Sequence, residues 1–298
     1  MTLPSCYEQR VQPVLASLVD LLALERLDRD LFRGQSQDLG WGAIFGGQVL
    51  GQALSAAAQT VTADRAVHSV HGYFMRAGDV RRPILYQVDR LRDGSSFTTR
   101  RVAAIQEGEA IFSLEASFQG VEDGFDHQDA MPEVPGPEAL RSEHEMALEI
   151  ADHLPPMFRA MALAERPIEI RPVEVRDPLR PRASPPVRRM WYRAVDVLPD
   201  DAALHRYLLA YASDFSFLGT AMDPHGTSWV QPGMQVASID HVMWFHRPFR
   251  FDDWLLYVVD SPSASGGRGL VRGQFFDRAG RLVASAAQEG LIRRRLPR

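Results

Sequence analysis

The sequence predicts an α+β fold, with antiparallel strands packed against long helices in two similar halves. Two observations carry this reading. A helix-like stretch followed by four strand-like runs occurs twice in 298 residues. The strand runs of the two halves also share identical residues at one constant spacing.

Gln9 to Leu24 places Leu15, Leu18 and Leu22 at helical spacing and reads as an amphipathic helix. Asp28 to Gln35 is extended. The glycine-dense run Gly40 to Gln48 leads into Val49 to Thr60, whose Ala, Leu and Gln content predicts a helix. Strands follow at Val67–Met75, Ile84–Leu91, Phe97–Gln106 and Ala110–Gln119, with turns at Asp93 to Ser96 and at Glu107-Gly108. In the second half the helix spans Ala202–Leu218, and the strands are Gln235–Phe245, Trp254–Asp260, Gly269–Asp277 and Leu282–Leu291. Between the halves, Pro132, Pro135 and Pro137 mark an exposed linker. Ser142–Leu154 reads as a helix stopped by Pro155-Pro156, Pro167–Val175 as extended and Arg188–Val195 as a strand.

Phe74 and Phe245, Leu85 and Leu256, Tyr86 and Tyr257, and Asp89 and Asp260 are identical pairs 171 residues apart (245 minus 74, 260 minus 89). Tyr73 and Trp244 share the offset, which later slips to 172 at Gly108 and Gly280. This is an internal duplication of about 110 to 120 residues per unit. It divides the chain into an N-terminal unit (1–120), a linker with a helix (121–165) and a C-terminal unit (166–298).

Composition narrows the function. With 45% hydrophobic and 24% charged residues, the chain can bury a full core and is not a disordered protein. A net charge of −5 removes any general drive toward nucleic acid or anionic membrane. No run is long enough to span a bilayer, so membrane insertion is not expected. The single cysteine, Cys6, forms no internal disulfide and no thiolate zinc cluster, and a reducing cytoplasm is the default compartment. His68 and His71, three apart on a strand, should point to opposite faces, as should His241 and His246, so no metal site is expected. There is no Gly-x-Ser-x-Gly nucleophile elbow and no strand before the glycine run to make a dinucleotide site.

Four places can carry chemistry. Gly46 and Gly47 sit at a helix N-terminus, where free N–H groups can receive an oxyanion; close helix packing explains them equally well. Asp214 lies in a mostly apolar helical stretch, as a general base or as a helix-end cap. Ser238 and Gln288 break apolar strand faces, and their counterparts in the first half are Val67 (238 minus 171) and Ala116 (288 minus 172). That asymmetry is what one site per two repeats leaves behind.

At these residues the sequence resembles the acyl-CoA thioesterase II (TesB-type) family. The matching segments include Leu31 to Ser36, Phe45 to Val49, His68 to Phe74, Arg100 to Gln106, Ile239 to Phe249 and Ala287 to Gly290. The resemblance implies a double hotdog, two tandem units each with a long helix wrapped by an antiparallel sheet. It implies that Asp214, Ser238 and Gln288 activate a water that hydrolyses medium- to long-chain fatty acyl-CoA, with no metal or redox cofactor. It also implies a homodimer or homotetramer. Substrate-binding candidates are Gly46 and Gly47 for the carbonyl oxygen, Phe74 and Trp244 for the acyl chain, Arg76 and Arg247 for coenzyme A phosphates, and His68. A non-catalytic acyl-CoA-binding protein and a hotdog hydratase or dehydratase are the alternatives. The latter is disfavoured because His205 lies nine residues before Asp214, about 13 Å along a helix.

Overall fold

A computed structural model describes residues 11–154, 159–160 and 163–295. Cys6, Gln9 and the Pro155-Pro156 pair lie outside the described residues. The first half comprises α1 (Pro13–Leu22), a short hairpin β1 (Glu25–Asp28) and β2 (Leu31–Gly34), α2 (Gly46–Ala58), and β3 (Arg65–Phe74), β4 (Ile84–Asp93), β5 (Phe97–Gln106) and β6 (Glu109–Gly120). The second half follows α3 (Glu143–Ile150). It holds β7 (Ile168–Pro172), β8 (Val187–Ala194), α4 (Ala202–Ser213), a short α5 (Gly219–Met222), β9 (Met234–Ser238), β10 (Asp240–Phe245), β11 (Leu255–Ser265), β12 (Arg268–Asp277) and β13 (Leu282–Arg294).

Among the described residues these strands form one antiparallel sheet in the order β1-β2-β4-β5-β6-β3-β10-β13-β12-β11-β8-β7, with β9 paired to β13. The duplication is visible in the strand bounds: β12 begins and ends 171 residues after β5. The halves meet where β3 pairs with β10, Tyr73 opposite Asp240 and Ser69 opposite Trp244. The arrangement is a double hotdog.

The long helices α2 and α4 lie on the inner face. α2 is buried from Gly47 to Ala57. It packs against β3 to β6 on one side and against α4 on the other. Alternation along the strands turns Val102, Ala104, Leu114, Ala116 and Phe118 inward to meet it. The helix begins at Gly46, three residues before the position expected from composition, because its first turn carries the helix crossing. A Cβ on Gly47 would lie 2.2 Å from the Tyr211 carbonyl oxygen, and one on Gly51 3.1 Å from that of Tyr207. The two backbones run antiparallel and close to contact.

Three other expectations are corrected. α4 stops at Ser213 rather than Leu218, because Ser216 takes a left-handed φ of 59°. The run Gln235–Phe245 divides at Ile239, so that β9 pairs with β13 while β10 bridges β3 and β13. The proline-rich linker is exposed yet pinned: Trp191 Nε1 donates to the Pro135 carbonyl (2.9 Å), and Gln128 bonds the backbone of Gly280 and Leu282. It covers a second apolar cluster of Trp191, Trp254, Leu256, Phe276 and Leu282.

The glycine at the helix crossing yields a stability prediction. Gly47→Ala places a methyl against the Tyr211 carbonyl oxygen, and separating the helices should cost about 1–3 kcal/mol. Urea unfolding should show a lower midpoint with little change in slope.

Candidate active site

Three polar side chains from three segments converge at the end of α4. Asp214 caps the helix C-terminus, Ser238 closes β9, and Gln288 points inward from the middle of β13. Gln288 Nε2 donates to Ser238 Oγ (2.5 Å), and the Ser238 hydroxyl donates to Asp214 Oδ1 (3.5 Å). The Asp214 side chain is only 7% exposed. The expected set is therefore brought together, within hydrogen-bonding reach and largely out of water.

The first half contributes the opposite wall. Gly46 opens α2 with its missing side chain facing Asp214: a Cβ there would sit 2.7 Å from Oδ2 and 3.0 Å from the Phe74 ring. Phe74 is fixed by its N–H to the Ile239 carbonyl (2.9 Å), next to Ser238. Phe45 stacks on Phe215 with ring centroids 4.4 Å apart. The first turn of α2 has no side-chain cap. The positive end of that helix thus faces the carboxylate.

The turn that carries Asp214 is clamped on both sides. Tyr257 Oη donates to the Ser213 carbonyl (3.1 Å), and Tyr192 Oη donates to the Phe215 carbonyl (3.1 Å). Burial pushes both phenols well above their ordinary value, so they remain neutral donors. Behind Gln288 lies His241, fully buried, with Nδ1 2.7 Å from Gln288 Oε1 and Nε2 2.9 Å from Ser213 Oγ. Burial lowers its pKa, and the nearby Asp214 charge opposes that only in part. Sequence reasoning missed the tyrosines and weighed His241 for function only as a metal ligand. The one available signal was the Tyr86/Tyr257 identity, and even that conceals a difference, because Tyr86 Oη bonds Gln52 Oε1 instead (2.7 Å).

Several candidates lie elsewhere. β10 runs away from Ser238, which carries Trp244 to the outer sheet face against His71 (centroids 5.5 Å). Arg247 lies beyond it, bonded to Asp126 and to the Leu282 carbonyl (2.7 Å). His68 bonds Ser117 Oγ (2.8 Å) near the far end of β3. A β-bulge at Val67–Ser69 resets the alternation there, so His68 and His71 share the outer face instead of opposing one another. Gly47 serves the helix crossing. Arg76, two residues past Phe74, pairs with Glu109 (2.9 Å) and is half exposed. His205 Nδ1 accepts from Phe251 N–H (2.9 Å) and faces away from Asp214. Among the described residues no three His, Cys, Asp or Glu side chains gather as a metal site would require. None of the described helices is long and apolar enough to cross a membrane.

Comparison with known proteins decides the family. An acyl-CoA thioesterase family model matches residues 158–291, and an acyl-CoA thioesterase N-terminal domain model matches residues 36–119. Acyl-CoA thioesterase 2 of Haemophilus influenzae is 45% identical over 94% of this chain and 98% of its own length. This chain belongs to the acyl-CoA thioesterase II family. Human acyl-coenzyme A thioesterase 8 is 43% identical over 92% of this chain and 88% of its own length. The crystal structure of acyl-CoA thioesterase II TesB2 from Mycobacterium marinum superposes with a TM-score of 0.77 at 42% identity, covering 93% of this chain and 98% of that one. The protein is an acyl-CoA thioester hydrolase, and coenzyme A thioesters are its substrates.

Two predictions follow from the clamps and the buried imidazoles. Tyr257→Phe frees the Ser213 carbonyl and should cost about 1–2 kcal/mol of stability. Acyl-CoA hydrolysis should slow in the same variant through kcat, which steady-state kinetics resolves. Burial lowers the pKa of His68, His205, His241 and His246 below the ordinary 6.5. The unfolded chain then binds more protons than the folded one below that value, so stability is full above it and falls as pH drops through it. Urea midpoints at pH 7.5 and 5.5 should show the loss.

Proposed function

We propose that hydrolysis proceeds by direct attack of one water held between Asp214, Ser238 and Gln288. The observation that carries this is the convergence of those three side chains beside the uncapped start of α2. Asp214 Oδ1 is occupied by Ser238, which leaves Oδ2, facing Gly46, as the base. The water oxygen attacks the thioester carbon while Oδ2 takes its proton. The carbonyl oxygen gains charge in this step, and N–H groups at Gly46-Gly47 receive it. The carbon–sulfur bond then breaks, and the proton on Asp214 passes to the coenzyme A thiolate. A thioester needs no covalent intermediate, and holding the water in line supplies much of the rate.

The aromatic wall of Phe45, Phe74 and Phe215 beside this point supports a medium- to long-chain fatty acyl substrate. Arg76, two residues past Phe74 and half exposed beside Glu109, is the candidate cation for coenzyme A phosphates. His241 is enclosed behind Gln288, so it cannot face a substrate as the histidine of a hydratase would. The exposed aromatic side chains at the β3–β10 seam, Tyr73 at 60% and Trp244 at 37%, favour a homodimer or homotetramer. The single cysteine fits a cytoplasmic setting.

Thiol release from acyl-CoAs of increasing length tests the reading. Wild type should prefer medium to long chains. Asp214→Asn should lose at least about 100-fold in kcat while still binding substrate and unfolding as cooperatively as wild type. An Asn variant with wild-type turnover would remove Asp214 from the base role.

A further inference from the structure

The buried polar side chains around Gln288 form one line of hydrogen bonds. Gln288 Oε1 lies 2.7 Å from His241 Nδ1, and an amide oxygen only accepts. His241 therefore carries its proton on Nδ1. Burial keeps the ring neutral, and Nε2 then shares the single Ser213 hydroxyl proton with the Ala210 carbonyl, each 2.9 Å from Ser213 Oγ. On the other side of the amide, Gln288 Nε2 donates to Ser238 Oγ, and the Ser238 hydroxyl is free to donate to Asp214 Oδ1. The donors His241, Gln288 and Ser238 point the same way, and the line ends on a carboxylate.

Reversing the Gln288 amide breaks this order. Its oxygen would then face Ser238 and take the only hydroxyl proton there. Asp214 would be left facing the lone pairs of Ser238. Shape alone does not set the choice, because the two ends of an amide are nearly identical in size. The N–H of His241 sets it.

We propose that His241 is a positioning residue for the hydrolytic reaction: its Nδ1–H locks the Gln288 amide in the orientation that turns the Ser238 hydroxyl toward Asp214. His241 does not touch the substrate; its Nδ1 lies 3.9 Å from Asp214 Oδ1, and its hydrogen bond to Gln288 is what acts on the water. The inference rests on the reading in which Gln288 and Ser238 hold the water. It adds the group that makes that pair directional.

The experiment uses the full-length enzyme and measures thiol release, with His241→Leu, His241→Asn and Gln288→Ala, and His241→Leu combined with Gln288→Ala. Leucine fills the space without a donor, and asparagine retains an N–H near the Nδ1 position. His241→Leu should lower kcat about 10- to 100-fold with KM within about twofold. His241→Asn should recover most of that loss at the same melting temperature as the leucine variant. In the Gln288→Ala background, His241→Leu should cost nothing further, because there is no amide left to orient. Equal losses in both backgrounds, or an asparagine variant no better than leucine, would overturn the proposal. If the leucine variant does not fold, His241→Met, which also lacks a donor, replaces it and should show the same dependence on Gln288. Wild-type turnover by Gln288→Ala would instead overturn the water-holding reading itself.

Discussion

The close antiparallel crossing of α2 and α4 is the constraint on which the rest of the molecule depends. Glycine at positions 47 and 51 lets the α2 backbone reach the carbonyl oxygens of Tyr211 and Tyr207. Any side chain at Gly47 would push the helices apart. With the crossing in place, the start of α2 lies beside the end of α4. An Asp at that end therefore meets an uncapped helix N-terminus from the other half of the chain. The favourable field at the N-terminus of a helix offsets part of the cost of enclosing a carboxylate.

The β3–β10 seam delivers the other wall. It joins the halves into one sheet and ties Phe74 to Ile239, one residue past Ser238. The site is thus shared: its acid and amide come from the second unit, its glycine and phenyl ring from the first. Duplication made two helix–sheet units, but only one of the two equivalent places became polar. Val67 stands where Ser238 stands, and Ala116 where Gln288 stands; both are buried. The second half also has a longer passage from helix to strand. It contains α5 and Asp223, which takes two bonds from Arg188 (2.7 and 2.8 Å). That extra chain carries the turn after Asp214 and the tyrosine-held carbonyls on either side of it.

Much of this was legible in the residues. β5 matches its expected bounds to the residue, because turn residues bracket it at Asp93 to Ser96 and at Glu107-Gly108. The fold class and the polar triad followed from the duplication and the resemblance. What stayed hidden depends on tertiary geometry. Helical periodicity continues through Asp214 to Leu218, and only the left-handed Ser216 ends it. A single-residue bulge turns His68 to the face shared by His71, and no local pattern marks it. Trp244 and Arg247 looked like binding residues by type, yet the direction of β10 takes them away from Ser238.

The asymmetry between the halves has an energetic reason. A buried polar group left without a partner costs about 1–3 kcal/mol, so a half-built site is worse than an apolar one. In the second half each group has a neighbour: Ser213 for His241, His241 for Gln288, Gln288 for Ser238, and Ser238 for Asp214. Losing any one of them leaves another exposed to that cost. In the first half the position matching His241 is Val70 (241 minus 171), which is fully buried. Without the imidazole, a glutamine at Ala116 would have no donor behind it and a serine at Val67 no amide beside it. The polar set is therefore retained or lost as a unit, and a duplicated chain with one complete set and one apolar copy is the stable outcome.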